Sequence, residues 1–559
     1  MTSSAPIIWS IAGLDSAGGA GLSADQRAAD ALGVHLCPIT AALTAQHSQG
    51  VEAVFPVAAS ALQAQMAALS EDLPPSVIKT GLLGSVAAIE AVAKWVDAKR
   101  ANTPRGQDPH RHLALVVDPV LGASAGGAAF ASDEILEAYR TQLLPRATVI
   151  TPNRAEARRL LRQAGRHDGA DADVPQLAAD LQALGARSVV ITGGDAPGPS
   201  PYCIDWLQTP HACGWLTAPR IDTRHTHGSG CTFASGLAAS MALGHVEADA
   251  AVLAKMLTHH ALQQARQAGG GAGPVLASRQ FSAPIDEGGA PLPWLGLGTQ
   301  LPWRLQRTDR AQLFAPFTTP AQRLYGIVPS AAQFNQALHA GLTCVQLRHK
   351  AHEGAAQAIA DSLDAARQHA RLREPCAEAE PLQVFINDHL DEAWSAFEDV
   401  PTHPLLRLGV HLGQEDLLAL TTEQQARLLA RSTDRLLGLS SHSLWELARA
   451  AGCGASVIAC GPVHPTTTKD MPWRPQGLNN LAWWVRHSPA PVVAIGGLLT
   501  PADLESFARC RPAALCVVRG LGAHGDDMRA HVAAFEQAVQ RGLQDTPART
   551  PRRPRPVLP

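Results

Sequence analysis

Gly228-Ser229-Gly230-Cys231-Thr232 opens the apolar helix Phe233 to Leu243. Small residues and bare amides at a helix start suit an anion, because the first N–H groups lack helical partners and the dipole adds positive potential. Cys231, in the first turn, lies in the same field, which should lower its thiol pKa and let it act as a general base toward a hydroxyl. A Gly-x-Gly alone is more often a tight loop with an inert cysteine. Its surroundings decide.

From Ile7 to about Pro274, aliphatic runs alternate with alanine-rich amphipathic segments, the rhythm of βα units around a mostly parallel sheet. The expected strands are Ile7–Ala12, Val77–Lys79, Leu113–Asp118, Thr148–Thr151 and Ser188–Thr192. Several end in Gly, Asp or Asn, and the carboxyl ends of such strands are where ligands sit. The expected domain covers residues 1–275. Prolines and glycines then interrupt any regular element, and residues 276–318 read as a linker, with Trp294 and Trp303 arguing against a fully mobile one.

A new series follows, with strands expected at Leu324–Val328, Cys344–Leu347, Gln383–Ile386, Leu408–His411, Leu436–Leu439, Val457–Ala459, Val492–Ile495 and Leu515–Val518. Eight strands with intervening helical patterns suit a (β/α)8 barrel over residues 319–545, whose chemistry belongs after the strand ends. Alternation along the second strand places Gln346, Arg348 and Lys350 on one side, two cations and an amide suited to a diphosphate. Asp388 follows the third strand and Asp416 the fourth, a pair of carboxylates able to share Mg2+ with phosphate oxygens. Thr466, Thr468, Lys469 and Gly497 follow strands six and seven, where barrels commonly hold phosphate.

Composition narrows the classes. At 559 residues the chain exceeds one core, and its net charge of −3 gives no nucleic-acid footprint outside residues 546–559, an arginine- and proline-rich stretch expected to be a disordered tail. No apolar run approaches a membrane span and the first residues lack a signal-peptide pattern, so the expected address is cytoplasmic. Ten scattered cysteines without a Cys-x-x-Cys pair suggest reduced thiols.

The run Ile11 to Asp25, Ala41 to Gln46, Asp118-Pro119-Val120, Thr151 to Glu156 and His227 to Thr232 together resemble the hydroxymethylpyrimidine/phosphomethylpyrimidine kinases of thiamine synthesis, which are ribokinase-like αβα sandwiches. The resemblance implies ATP as co-substrate, Gln46 and Gly13 at the aminopyrimidine, and Asp25 near the substrate. It further implies Asn153 and Glu156 at magnesium and the phosphates, Gly228, Ser229 and Gly230 at the transferring phosphoryl, and Cys231 in place of the catalytic aspartate of other ribokinase-like enzymes. Thr192 stands where this family often has a lysine, so one phosphate-binding cation is missing from its usual place.

Gln346 to Lys350, Phe385 to Asp388, Gly409 to Asp416, Gly438 to Ser440, Gly461 to Lys469, Pro475 to Gly477 and Ala494 to Gly497 resemble thiamine-phosphate synthase. That likeness implies Arg348, Lys350, Asn387 and Lys469 at the diphosphate and magnesium on Asp388 and Asp416. It implies Ser440 and Gln346 by the pyrimidine, and Thr466, Thr468, Gly497, Val517 and Val518 around thiazole phosphate. Arg519 replaces a usual serine. The expected partners are small molecules, with no nucleic acid and no membrane, and a homo-oligomer is compatible with the sequence. Two rivals stand beside this reading: a first half that phosphorylates a pyridoxal-like alcohol, or one half that binds a precursor without turning it over.

Overall fold

Ile7–Asp15 (β1) is buried at seven of its nine positions, the mark of a strand covered on both faces and therefore central to its sheet. The computed structural model describes residues 5–104, 106–122, 131–162, 173–194, 200–306, 313–373, 380–401, 403–466, 472–522 and 527–558. They fall into two units, Met1–Leu301 and Pro302–Pro559.

In the first unit β1 is joined by His35–His47 (β2), Gly50–Pro56 (β3), Val77–Thr80 (β4), Ala114–Val117 (β5), Val149–Ile150 (β6), Ser188–Ile191 (β7), Tyr202–Gln208 (β8), Cys213–Pro219 (β9) and Trp294–Leu295 (β10). Their order is β10-β9-β8-β7-β6-β5-β4-β1-β2-β3. From β2 to β7 neighbouring strands are parallel, and antiparallel strands extend both edges. Helices Ala59–Asp72, Val86–Arg100, Arg154–Arg162 and Val174–Ala183 share one apolar core with the sheet, centred on Trp9, Ile78, Leu115 and Ile150. Helices Gly21–Leu32, Ser229–Ala242 and Glu247–Gln263 form a second packed set. This is the expected αβα sandwich, with hairpins β2–β3 and β8–β9 added to the five strands read from sequence.

One polar knot ties the layers. Lys79, at the end of β4, has no exposed surface, and its Nζ donates to both oxygens of Asp25, at 2.9 and 3.0 Å. Ser10 of β1 and Ser235 of the helix Ser229–Ala242 donate to the same carboxylate at 2.6 and 2.7 Å. Burial alone pulls the lysine pKa down. The attraction of Asp25, reinforced by its hydrogen bonds, outweighs it and leaves Lys79 raised above its ordinary value.

The second unit is a closed parallel barrel of Leu324–Val328 (β11), Cys344–Leu347 (β12), Leu382–Asn387 (β13), Leu406–Leu412 (β14), Leu436–Ser441 (β15), Val457–Cys460 (β16), Val492–Ile495 (β17) and Ala514–Val517 (β18), with β18 pairing back on β11. All eight expected strands are present. Tyr325, Ile327, Cys344, Phe385, Val457 and Cys516 fill its interior together with Phe317, which precedes β11.

Two expectations about the connecting stretches are corrected. Residues 276–301 complete the first unit: Phe281 is buried, and β10 pairs with β9 through Trp294 with Thr217 and Leu295 with Leu216. Residues 313–318 belong to the barrel, where Ala315 N donates to Ser432 O and Thr318 N to Gln383 Oε1. The apolar side chains scattered among the prolines thus have surfaces to cover. The basic tail is likewise ordered against the barrel rather than disordered. Ala548 N donates to Arg509 O, Arg474 N donates to Val557 O, and Val557 is 3% exposed.

Removing one partner of a buried ion pair leaves an uncompensated charge, at a cost of about 3–5 kcal/mol. Asp25→Ala is therefore expected to lower the urea midpoint of the first unit by that equivalent while leaving the barrel transition in place. A change below about 1 kcal/mol would show that Lys79 has no structural dependence on Asp25.

Candidate active sites

In the first unit the carboxyl ends of β1, β4, β5 and β6 and the start of the helix Ser229–Ala242 surround a cavity of about 140 Å³. Gly13, Gln46, Asn153, Glu156, Gly228, Ser229, Gly230 and Cys231 all line it, as do Asp15, Lys79, Asp118, Thr192 and His227. The glycines are there for close approach. Gly228 caps the helix at φ +83°, and a Cβ on it would lie 2.2 Å from Gly19 O, while one on Gly19 would lie 2.1 Å from His227 Cδ2.

Asp15 organises the facing loop. Its carboxylate accepts from the amides of Ala17, Gly19 and Ala20 and contacts His227 Nε2 at 2.9 Å; His227 Nε2 lies 3.3 Å from Gln46 Nε2. Burial by itself would raise the Asp15 carboxyl, but the bonds from His227 and the loop amides hold it below its usual range. Asn153 and Glu156 form a reciprocal cap: Asn153 N donates to Glu156 Oε2 and Glu156 N to Asn153 Oδ1, each at 2.9 Å.

Two sequence expectations fail here. Asp25 does not face the cavity, because all its accepting capacity is committed to Lys79, Ser10 and Ser235. The Cys231 thiol is not lowered: burial pushes it up to about 12, against the pull of Lys79 and of the Gly21 amide. Burial also raises Asp118 to about 6, although Lys79 Nζ lies 3.6 Å away. Beside the lysine-less Thr192, two guanidinium groups approach its neighbours Gly193 and Gly194, although neither arginine lines the cavity. Arg220 Nη1 donates to Gly194 O, and Arg154 Nη2 would be 3.4 Å from a Cβ on Gly193.

The barrel cavity, about 400 Å³, opens at the carboxyl ends of its strands. Gln346, Arg348, Asn387, Asp388, Asp416, Ser440, Thr466, Gly497, Val518 and Arg519 line it. Gln346 is buried, accepts from Tyr325 OH at 2.8 Å and donates to Asn387 Oδ1 at 2.7 Å, which presents the Asn387 amide nitrogen as its remaining donor. Asp388 sits at φ +67°, a strained position for a non-glycine residue. Gly496 and Gly497, at φ +101° and +79°, turn the chain sharply after β17, where a side chain on Gly497 would meet His464 at 2.4 Å.

Lys350 is exposed and outside the cavity, because β12 ends at Leu347 and alternation no longer directs its side chain. Val517 is buried away from the cavity while its neighbours Cys516 and Val518 line it. Thr468 and Lys469 lie outside the described residues.

His411, not singled out from sequence, contacts Ser440 Oγ through Nε2 at 3.0 Å, and burial drops its pKa to about 4, so it is neutral near pH 7. Its place within the quoted run Gly409 to Asp416 was the available signal. His442, Glu446 and Trp473 also line this cavity. Among the described residues no group of three or more His, Cys, Asp or Glu could hold a metal, and no helix is long and apolar enough to cross a membrane.

An anion loop over a mostly parallel sheet and a barrel rimmed with polar groups define a two-domain enzyme acting on phosphorylated small molecules. Residues 15–276 match the phosphomethylpyrimidine kinase family model and residues 321–521 that of thiamine monophosphate synthase. The chain is 30% identical to a chloroplastic thiamine biosynthetic bifunctional enzyme of Arabidopsis thaliana, over 88% of this chain and 85% of that one. It is 37% identical to a hydroxymethylpyrimidine/phosphomethylpyrimidine kinase of Streptomyces coelicolor, over 48% of this chain and 93% of the relative. A pyridoxal kinase structure from Staphylococcus aureus in complex with ADP overlaps 49% of this chain and 93% of its own, at 28% identity and a TM-score of 0.42. The chain belongs to the bifunctional thiamine biosynthetic enzymes, with a hydroxymethylpyrimidine/phosphomethylpyrimidine kinase domain fused to a thiamine-phosphate synthase domain.

Asp118 gives the kinase domain a pH signature. Its folded pKa is raised, so its contribution to stability is complete below about 4 and is lost as pH rises through about 6. Asp118→Asn should therefore gain stability relative to the parent between pH 4 and pH 7, read from urea midpoints. A constant difference across that range would contradict a raised carboxyl.

Proposed function

We propose that the two cavities act in sequence: the first phosphorylates 4-amino-5-hydroxymethyl-2-methylpyrimidine and then its monophosphate at the expense of ATP, and the second joins the diphosphate to thiazole phosphate. The observation that carries this reading is the convergence, in each unit, of oxyanion-binding groups on a cavity at the carboxyl ends of the strands.

In the kinase cavity, Gln46 and Gly13 hold the pyrimidine. The loop Gly228–Cys231 receives the transferring phosphoryl, and Asn153 and Glu156 orient the nucleotide phosphates. As the substrate oxygen attacks phosphorus, its proton passes to the Cys231 sulfur and the bond to ADP breaks. A thiol pushed up to about 12 is protonated in the free cavity, so the base form is scarce near neutral pH.

In the barrel, the C–O bond to the diphosphate breaks with its electron pair on the leaving oxygen, the aminopyrimidine stabilises the cationic methylene, and the thiazole nitrogen closes the new C–N bond. Neutralising the leaving group is the main catalytic requirement. Arg348, Asn387 and Lys469 meet it, with Ser440 held toward the reacting centre by neutral His411. Asp388 and Asp416 suit Mg2+, which commonly takes one or two carboxylates and completes its shell with water and phosphate; bound there, the ion supplies further charge neutralisation. Thr466 and Gly497 accommodate thiazole phosphate.

Purified full-length chain given ATP, magnesium, hydroxymethylpyrimidine and thiazole phosphate should form thiamine phosphate, with pyridoxal a poor competitor for the kinase. Cys231→Ala should abolish phosphorylation yet leave coupling of supplied diphosphate intact, and Arg348→Ala should do the reverse, with coupling reduced by about 10²-fold. The parent kinase rate should climb between pH 7 and 9. No thiamine phosphate, or loss of both steps in either variant, would overturn the assignment.

A further inference from the structure

Behind the barrel cavity, a relay of hydrogen bonds reaches the C-terminal tail. His442 and Trp473, which line the cavity, stack with ring centres 5.5 Å apart and planes 10° from parallel. The backbone amide and Nδ1 of His442 contact Glu446 Oε2 at 2.6 and 2.8 Å, and its carbonyl accepts from Gln476 Nε2. Gln476 Oε1 in turn accepts from Asn480 Nδ2 at 2.9 Å, and both residues are only 1% exposed.

Asn480 then meets the tail on two sides: Arg555 N donates to its Oδ1 at 2.7 Å, and its Nδ2 donates to Arg555 O at 3.0 Å. Two residues further on, Val557 O accepts from Arg474 N, the amide next to Trp473, at 2.7 Å. The tail thus bonds the segment that carries Trp473 through one backbone hydrogen bond and the neighbouring helix through the Asn480 side chain. A buried amide side chain stripped of its partners must find others or move. Without Arg555 and Val557, Asn480 loses two bonds and the Arg474 amide its acceptor, and the aromatic wall loses its backing.

We propose that the tail segment Arg555–Val557, acting through the positioning residue Asn480, holds the His442–Trp473 wall in place for the aminopyrimidine diphosphate in the barrel. This rests on the coupling activity proposed above. The stacked rings present an aromatic face to a flat heteroaromatic substrate, so a displaced wall weakens binding more than it slows the bond-breaking step, whose charge is met at Arg348 and Asn387.

Arg555→Pro in the full-length chain deletes one N–H from a segment already flanked by Pro554 and Pro556. It should raise KM for hydroxymethylpyrimidine diphosphate about tenfold, with kcat within twofold and the kinase reaction unchanged. A chain ending at Asp545 should behave alike, and a synthetic peptide of residues 546–559 should restore its KM, whereas the same peptide carrying proline at 555 should not. An unchanged KM in both variants, a fall in kcat alone, or equal rescue by the two peptides would overturn the inference. Absence of coupling by the parent chain would instead refute the reading beneath it.

Discussion

A charge removed from water must be answered within hydrogen-bond reach or be lost. Lys79 is the deepest such charge in the kinase domain, and Asp25 answers it with both oxygens. Because Ser10 and Ser235 bind the same carboxylate, the pair fixes β1, β4 and two helices relative to one another. Those two helices begin at Gly21 and Ser229, immediately after the loops that Asp15, His227 and Gly228 bring together. The anion loop is therefore placed by a knot lying beneath it. In the barrel the corresponding constraint is closure, with the bonded series Tyr325, Gln346 and Asn387 carrying orientation from the interior to the rim.

The barrel was nearly all legible because its parallel strands are mostly buried on both faces and read as largely apolar runs, broken only locally by such residues as Gln346, Gln383 and Arg407. Val492–Ile495 matches its expected limits, and Cys344–Leu347 does too. The edge strands of the kinase sheet carried no such run. His35–His47 contains Pro38 and ends in alternating exposure, and Trp294–Leu295 is two residues among prolines, recognisable only through its partner β9. The tail looked unable to fold by composition, but a proline-rich segment needs no core of its own when the Asn480 side chain bonds the Arg555 backbone and Arg474 N donates to Val557 O.

Residues inside motif-dense loops were readable as site candidates, since small residues, amides and carboxylates after strand ends have few purely structural uses. Depth was not readable. Asp25 looks like any acidic residue on an early helix turn, and only the folded chain sets Lys79 against it. The thiol of Cys231 illustrates competing magnitudes: a helix start lowers a thiol pKa, burial raises it, and here burial wins. Lys350 was assigned to the cavity by carrying a strand's alternation beyond its end, and Val517 by the family resemblance alone.

In the proposed reaction sequence each cavity receives its substrate with the phosphate end at the named amides and cations. The most direct test is a ligand-bound structure of the full-length chain with magnesium, a non-hydrolysable ATP analogue and hydroxymethylpyrimidine. It should show the pyrimidine beside Gln46, its hydroxyl facing the Cys231 sulfur, and the terminal phosphate at the amides of Gly228 to Cys231. Ordered ligand bound elsewhere, or seated with its hydroxyl turned away from Cys231, would contradict the account.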